Sequence, residues 1–511
     1  MQEAALRRGL AALLIWCVFA CSKGPPGRKL ASGIARDVSI SSGGGLVSFL
    51  TAVTHPPDPG LPEDLLLGDL YVAKVASGDA SQIGSAVPNL RGARAYDPSG
   101  TSLAFLARYR YRDGQGELGV VGEPGTVRTV ADGVTSFAWA ASGKMLAFVA
   151  DGRLRALDVS REGTTPTLAL DGVQTFAWAP AGTRLAARSA GSSGGRVELL
   201  DVATGRTREA AKASSDLSFG PDGTLYVLGA APEKGGDRPL QAIASFDAAA
   251  QEVGRATSFA VSPQGDLAML GTDKNPGAAF GTLLRRSRDG AAKVVGEHVS
   301  EYRFAPRGDL LYLAGYDLRA RAGTLAVAML SGGTREIARK VQSFSIAGDR
   351  VLYIVQHPEK GDFRIELWTA DLTSQAPPRK VEDGVYGYEL APDGATLFYK
   401  ARCAGGPRSC SLFRAPIDGS RPAQMVTPSM AGFELSKDGK RLLVAMPHRG
   451  AARAVDLSVV PADQDQAATV NQKPFVEEVD PAAAFANGTG TRAVYAALTS
   501  GRAGVYVIDL P

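Results

Sequence analysis

Histidine and cysteine are nearly absent from this chain, with 4 of each in 511 residues, alongside 4 Trp and 7 Met. The histidines, His55, His298, His357 and His448, stand far apart and fall in different stretches of the chain. None has a neighbouring ligand at the spacing a zinc site needs. No acidic run carries the spacing of a calcium loop, Asp463-Gln464-Asp465 being the nearest approach. No metal and no cofactor is therefore expected. An excess of one charge is also missing, since 56 Lys and Arg face 52 Asp and Glu for a net charge of +4. The basic residues are dispersed, which excludes a nucleic-acid footprint. No Gly-x-Ser-x-Gly nucleophile elbow stands between a strand and a helix, so the chain is not expected to be an enzyme.

Long apolar runs are missing after the first twenty residues. Arg7 and Arg8 precede Leu10–Ala20, an apolar stretch of about eleven residues that is too short to cross a bilayer. It ends in Val18-Phe19-Ala20-Cys21, a small residue immediately before a cysteine, which resembles a bacterial lipobox. The expectation is a signal peptide over residues 1–20 and an acylated N-terminus at Cys21. Residues 21–35 then form a polar tether and a ring-closing strand. Ser22 after the cysteine favours the outer membrane, facing the periplasm. Asn487-Gly488-Thr489 fits a glycosylation acceptor, without expected consequence in a bacterial chain.

What the chain has in abundance is one phrase. Phe137-Ala-Trp139-Ala-Ala-Ser-Gly143 returns as Phe176-Ala-Trp178-Ala-Pro180-Ala-Gly182, and again at Gly223, Gly265, Gly308, Gly348 and Gly394. The glycines fall about forty residues apart, a period that implies stacked four-stranded units. Each unit opens on an apolar, aromatic first strand and turns at Pro-x-Gly, where proline presets φ and glycine takes its positive value. A second strand such as Leu310-Leu-Tyr-Leu313 and a third such as Val197–Asp201 follow, then a short fourth. This predicts an all-β fold built of β-propeller blades. Weaker copies around Gly45, Gly100, Gly439 and Gly490 bring the count to about eleven. A ring ordinarily holds about four to eight blades, so two rings are expected, over residues 36–255 and 256–511. The chain stops after a third strand, Gly504–Asp509, while Arg28-Lys-Leu-Ala-Ser-Gly33 resembles the fourth-strand phrase Arg379-Lys-Val-Glu-Asp-Gly384. The N-terminal segment is expected to complete the final blade.

Cys403 and Cys410 bracket a connection between second and third strands, and in an exported, oxidising compartment a disulfide is expected there. Those second-to-third-strand loops vary in length and chemistry while the Pro-x-Gly turns stay uniform, which marks the loops as the binding face. Candidates on it are His55, His357 and Arg108-Tyr109-Arg110-Tyr111-Arg112. Continued as a strand, that last run places three guanidinium groups on one face, suited to acidic groups, and two tyrosines on the other.

The phrases Phe219-Gly-Pro221-Asp222-Gly223, Leu390-Ala-Pro392-Asp393-Gly394 and Leu200-Asp201-Val-Ala-Thr-Gly205 resemble the WD40-like (PD40) repeats of the TolB family. That resemblance implies a periplasmic, non-catalytic propeller whose partners are other envelope proteins. The chain departs from the family in its lipobox and in having no separate N-terminal α/β domain. The expected function is a membrane-anchored, protein-binding lipoprotein scaffold. A glycan-binding or surface-sensing propeller, with Tyr109 and Tyr111 as platforms, is the first alternative. A propeller enzyme of the lactonase, cyclase or quinoprotein type is the second.

Overall fold

The computed structural model describes residues 27–509 apart from segments at 59–60, 63–64, 124–125, 162–166, 192–193, 233–235, 273–279, 289, 357–364, 404–409, 437–438, 449–454, 463–475, 480–483, 486–491 and 499–501. Among the described residues every regular element is a β-strand. Strand follows strand antiparallel in chain order, in sheets of four, seven or eight strands.

The repeated phrase builds the turn between first and second strands. The amides of Gly143, Gly182, Gly223, Gly265, Gly308 and Gly394 each donate to the carbonyl three residues back, at 2.8 to 3.0 Å. Gly182 takes φ +69°, a value that strains any residue with a Cβ. In the first unit the register slips by one residue, for Gly44, not Gly45, takes the positive φ and bonds to the Ser41 carbonyl.

Fourth and first strands are not always separate. Thr126–Trp139, Thr207–Phe219 and Thr334–Ala347 each run on from one four-stranded unit into the next, which is how the seven-stranded sheets arise. Gly133 and Lys340 take left-handed backbone conformations within two of them. The register shifts beside each, and the following Val134 and Val341 turn fully into the core.

The core lies between units. Leu70, Val72 and Val87 pack on Leu103, Phe105 and Val121 of the next unit. Leu228 and Ala256 pack on Leu267 and Met269 in the same manner. The units on either side of residue 255 are thus packed on each other as the other neighbours are. Hydrogen bonds repeat at the same spacing. On the inner edge the Trp139 indole donates to Ala95 O (3.0 Å) and that of Trp178 to Ala138 O (3.1 Å), while Tyr302 and Tyr388 share hydroxyl bonds with Ser258 and Ser345. These bonds tie the first strands of consecutive units to one another. Farther out, arginines at the starts of fourth strands reach the next unit's third-to-fourth turn, as Arg208 does to Ala248 O (2.6 Å) and Arg379 to Asp418 O (3.3 Å).

The chain's two ends meet in the same pattern. Arg28–Ser32 pairs antiparallel with Gly504–Asp509, and Arg28 donates to Ala76 O at 2.7 Å. Leu30, Val494, Val505 and Val507 pack on Ile40, Val47 and Phe49 of the first unit. Arg492 adds a bond to Gly44 O (3.2 Å). The pairing gives the last sheet a partner on the edge that Gly504–Asp509 would otherwise leave open.

Candidate binding face

Each unit presents two ends. One carries the uniform first-to-second turns and may be called the turn face. The other carries the second-to-third connections and the links between units, and is the loop face. On it the first two units come together, because Asp58 of one loop lies 3.6 Å from Arg112 of the next. His55 and the Arg108–Arg112 run thus become neighbours.

Their chemistry is turned inward. The His55 ring stands between two carbonyls of its own loop, Nδ1 2.7 Å from Pro56 O and Nε2 3.1 Å from Pro62 O. Neither nitrogen is placed to take a metal. The strand Leu103–Arg110 ends where the sequence suggested continuation, and residues 111–114 form a turn. Arg108 has φ +46°, so the alternation that would align three guanidinium groups breaks at its first member. Each arginine instead has an acid of its own. Arg108 pairs with Glu117, Arg110 with Asp132 (3.3 Å) and Asp113 (3.8 Å), and Arg112 with Asp58. The Gly133 amide, more than the nearby Arg110, holds the Asp132 carboxyl below its ordinary range. These pairs are largely exposed, so water screens them and each contributes little to stability. They organise the loops more than they bind them shut.

The tyrosines are half-buried. Tyr109 packs against the cluster of Leu106, Val134 and Phe148, and that burial raises its phenol pKa. Tyr111 lies under the Arg112 guanidinium, 5.9 Å from the ring centre. Neither presents an open aromatic platform. Loops farther round are joined by a ring contact between Phe280 and Tyr316, centroids 5.8 Å apart.

Cys403 and Cys410 are joined in a disulfide at the loop face, with Cys410 fully buried. The Arg402 guanidinium beside it covers the Phe413 ring at 4.7 Å and reaches Glu382 at 3.7 Å. His448 hydrogen-bonds the Asp456 carboxylate at 2.6 Å, and His298 is the last residue but one of the fourth strand Ala292–Val299. Among the described residues no three His, Cys, Asp or Glu side chains group as metal ligands. The spacing Gly191-Ser192-Ser193-Gly194-Gly195 matches Gly-x-Ser-x-Gly formally, but it connects two antiparallel strands, not a strand and a helix. Cys21, His357, Asp463 and Asn487 lie outside the described residues.

What sequence reasoning missed on this face is apolar. Ile34 is 60% exposed, Leu90 40%, Leu318 64% and Tyr386 60%, and all four sit in loops or at strand starts of the loop face. The signal was faint but present, since Ile34 and Tyr386 stand one and two residues after Gly33 and Gly384, the glycines that follow two fourth strands. Of the other large exposed apolar side chains, Val127, Val294 and Met425 lie on fourth strands and Leu330 on a turn.

The fold defines an all-β, propeller-like protein. No family model matches the sequence, and no curated protein matches it. Among solved structures, a eukaryotic initiation factor is 12% identical with a TM-score of 0.43, over 79% of this chain and 91% of that one. The tricorn protease is 11% identical with a TM-score of 0.29, over 93% of this chain and 52% of its own length. At these scores neither likeness bears on what this chain binds or does.

Proposed function

We propose that this chain is a non-catalytic, lipid-anchored propeller of the bacterial envelope that binds another envelope protein through its loop face. The observation that carries the reading is the set of exposed apolar side chains Ile34, Leu90, Leu318 and Tyr386 on the face where the loops vary. The charged residues around the first two loops are satisfied within the chain, so an apolar, protein-like contact suits this surface better than an acidic ligand does. Half-buried Tyr109 and Tyr111 favour protein over glycan for the same reason.

The scaffold is proposed as one circuit of eleven blades in place of the two rings expected from sequence. Supporting this, the apolar clusters join each unit to the next, including the pair on either side of residue 255, and a further cluster joins the last unit to the first. Acyl chains at Cys21 hold it to the outer membrane.

The test is crosslinking in intact membranes. Wild-type protein is expected to yield a specific protein adduct, and Ile34→Asp with Leu90→Asp to lose it while keeping the wild-type melting temperature. Val127→Asp, away from this face, serves as the control. An adduct that survives the double substitution sinks the assignment of the face. Cys21→Ser is expected to leave the protein in the soluble fraction, and a variant that stays membrane-bound refutes the anchor.

A further inference from the structure

We infer that the open edge of Arg28–Ser32 and the cleft beside it form a second protein-binding site, which takes an extended peptide segment of a partner as an added strand. The site lies between the last unit and the first. It goes beyond the loop-face reading and rests neither on that reading nor on the anchor.

The strand supplies the backbone half of the site. Arg28–Ser32 ends its sheet, and among the described residues it pairs with Gly504–Asp509 alone. A trans peptide points each carbonyl opposite to the next residue's amide. The Gly33 amide bonds Ala503 O, on the side of Gly504–Asp509, so the Ser32 carbonyl points off the open edge. At Gly504 a Cβ would collide with Ala31 O, which puts that carbonyl on the paired side and the Ser32 amide on the open one. Ser32 is itself exposed, and it offers a donor and an acceptor along one edge. One residue of an extended chain matches both, as in the hydrogen-bonded pairs of an antiparallel ladder.

The cleft supplies the side-chain half. It holds about 700 Å³ between residues 30–34 and the first unit, whose Phe49 and Tyr71 line it with their rings stacked, centroids 5.7 Å apart. The Tyr71 hydroxyl donates to Gln82 Oε1 at 3.3 Å, so the phenol's polar end is already engaged. Ile34, 60% exposed, adds apolar surface to the lining, and Asp79 gives it its one charged residue. An aliphatic or aromatic side chain suits the rings and Ile34, and a basic one suits Asp79. Main-chain bonds to an edge give affinity, and pockets for alternate side chains give specificity. Arg28 and Lys29, exposed at the start of the strand, guard it against pairing with a second copy.

The experiment pans a displayed library of random peptides, each about nine residues long, against the detergent-solubilised full-length protein. Selected peptides are then measured by fluorescence anisotropy. They are expected to carry aliphatic or aromatic residues at alternate positions, with a Lys or Arg nearby. N-methylation of one peptide amide at a time is expected to weaken binding roughly tenfold at the residue that pairs with Ser32 and to spare its immediate neighbours, because strand amides alternate in direction. Ser32→Pro removes the outward amide, a change that an edge strand tolerates, and is expected to weaken binding by a similar factor at an unchanged melting temperature. If that variant does not fold, the N-methyl scan decides alone. A library that yields no specific binder, a scan without alternation, or a folded Ser32→Pro variant that binds like the wild type overturns the inference. So does a concentration-dependent mass without peptide that Ser32→Pro abolishes, since a second copy is then the occupant. Leu90→Asp, outside the cleft, is expected to leave peptide binding intact, which separates failure of the loop-face reading from failure of this one.

Discussion

On the inner edge, the Trp178 indole covers a backbone carbonyl that no strand pairs. The first-strand part of Thr126–Trp139 pairs with a neighbouring strand on one side only, and the indole of the next unit bonds Ala138 O at 3.1 Å on the other. Trp178→Phe keeps the ring and removes the N–H. It is expected to cost about 0.5–1.5 kcal/mol, read as a lower denaturant midpoint. A larger effect is expected at Asp266, whose carboxylate lies 2.7 Å from Arg285 with the side chains 8% and 10% exposed. Arg285 also donates to Ala328 O (3.0 Å) and Gly308 O (2.8 Å), carbonyls of the next unit. Asp266→Asn leaves a buried cation short of its counter-charge and is expected to cost about 3–5 kcal/mol. Arg285→Met combined with Asp266→Leu is expected to recover most of that loss, and urea unfolding of the three variants checks both statements.

At the scale of turns and loops, carboxylates reinforce what glycine begins. Asp393 accepts from the amides of Ala395 (2.8 Å) and Thr396 (3.0 Å). Burial pushes its pKa up, yet these bonds outweigh it and leave the carboxyl below its ordinary value. For Asp418 the bonds from Ser420 dominate and again lower it. A depressed folded-state pKa gives stability that is present above the unfolded value, about 3.9, and lost as pH falls through the folded one. Asp393→Ala is therefore expected to cost about 1 kcal/mol at pH 7 and progressively less below about pH 4, followed as the melting-temperature difference across a pH series. The disulfide acts at the same scale. Replacing Cys403 and Cys410 with serine reopens a short loop and is expected to cost about 2.5 kcal/mol by chain entropy, seen as a midpoint shift that reductant reproduces in the wild type.

For the whole molecule, the join between the two ends of the chain depends on the five residues Arg28–Ser32. Removing residues 27–33 strips Leu30 from its cluster and bares the edge of Gly504–Asp509. The truncated protein is expected to self-associate through that edge, visible as a concentration-dependent mass in light scattering, while the wild type keeps a single mass. Leu30→Ala, which keeps the strand, is expected only to destabilise, by about 2–3 kcal/mol. Much of this scaffold was legible in the chain. The turn glycines were, because a positive φ restricts residue choice locally, and so was the likeness of Arg28–Gly33 to Arg379–Gly384. The strands shared between units were not, because Lys340 adopts its left-handed conformation without the glycine that would have announced it. The loop run at Arg108–Arg112 was misjudged for a related reason, since a backbone kink at Arg108 cancels the alternation on which the aligned arginines depended.

By itself the sequence determined the unit: its strands, its turn and its period. These follow from local chemistry repeated at a fixed spacing, where each phrase needs only its own neighbours. The tertiary structure alone decided how the units meet, which arginines find acids, and which apolar side chains stay uncovered. Those outcomes depend on residues about forty positions apart or, for Arg28 and Ala76 beside Gly504–Asp509, on the two ends of the chain, and no local pattern encodes a contact at that distance.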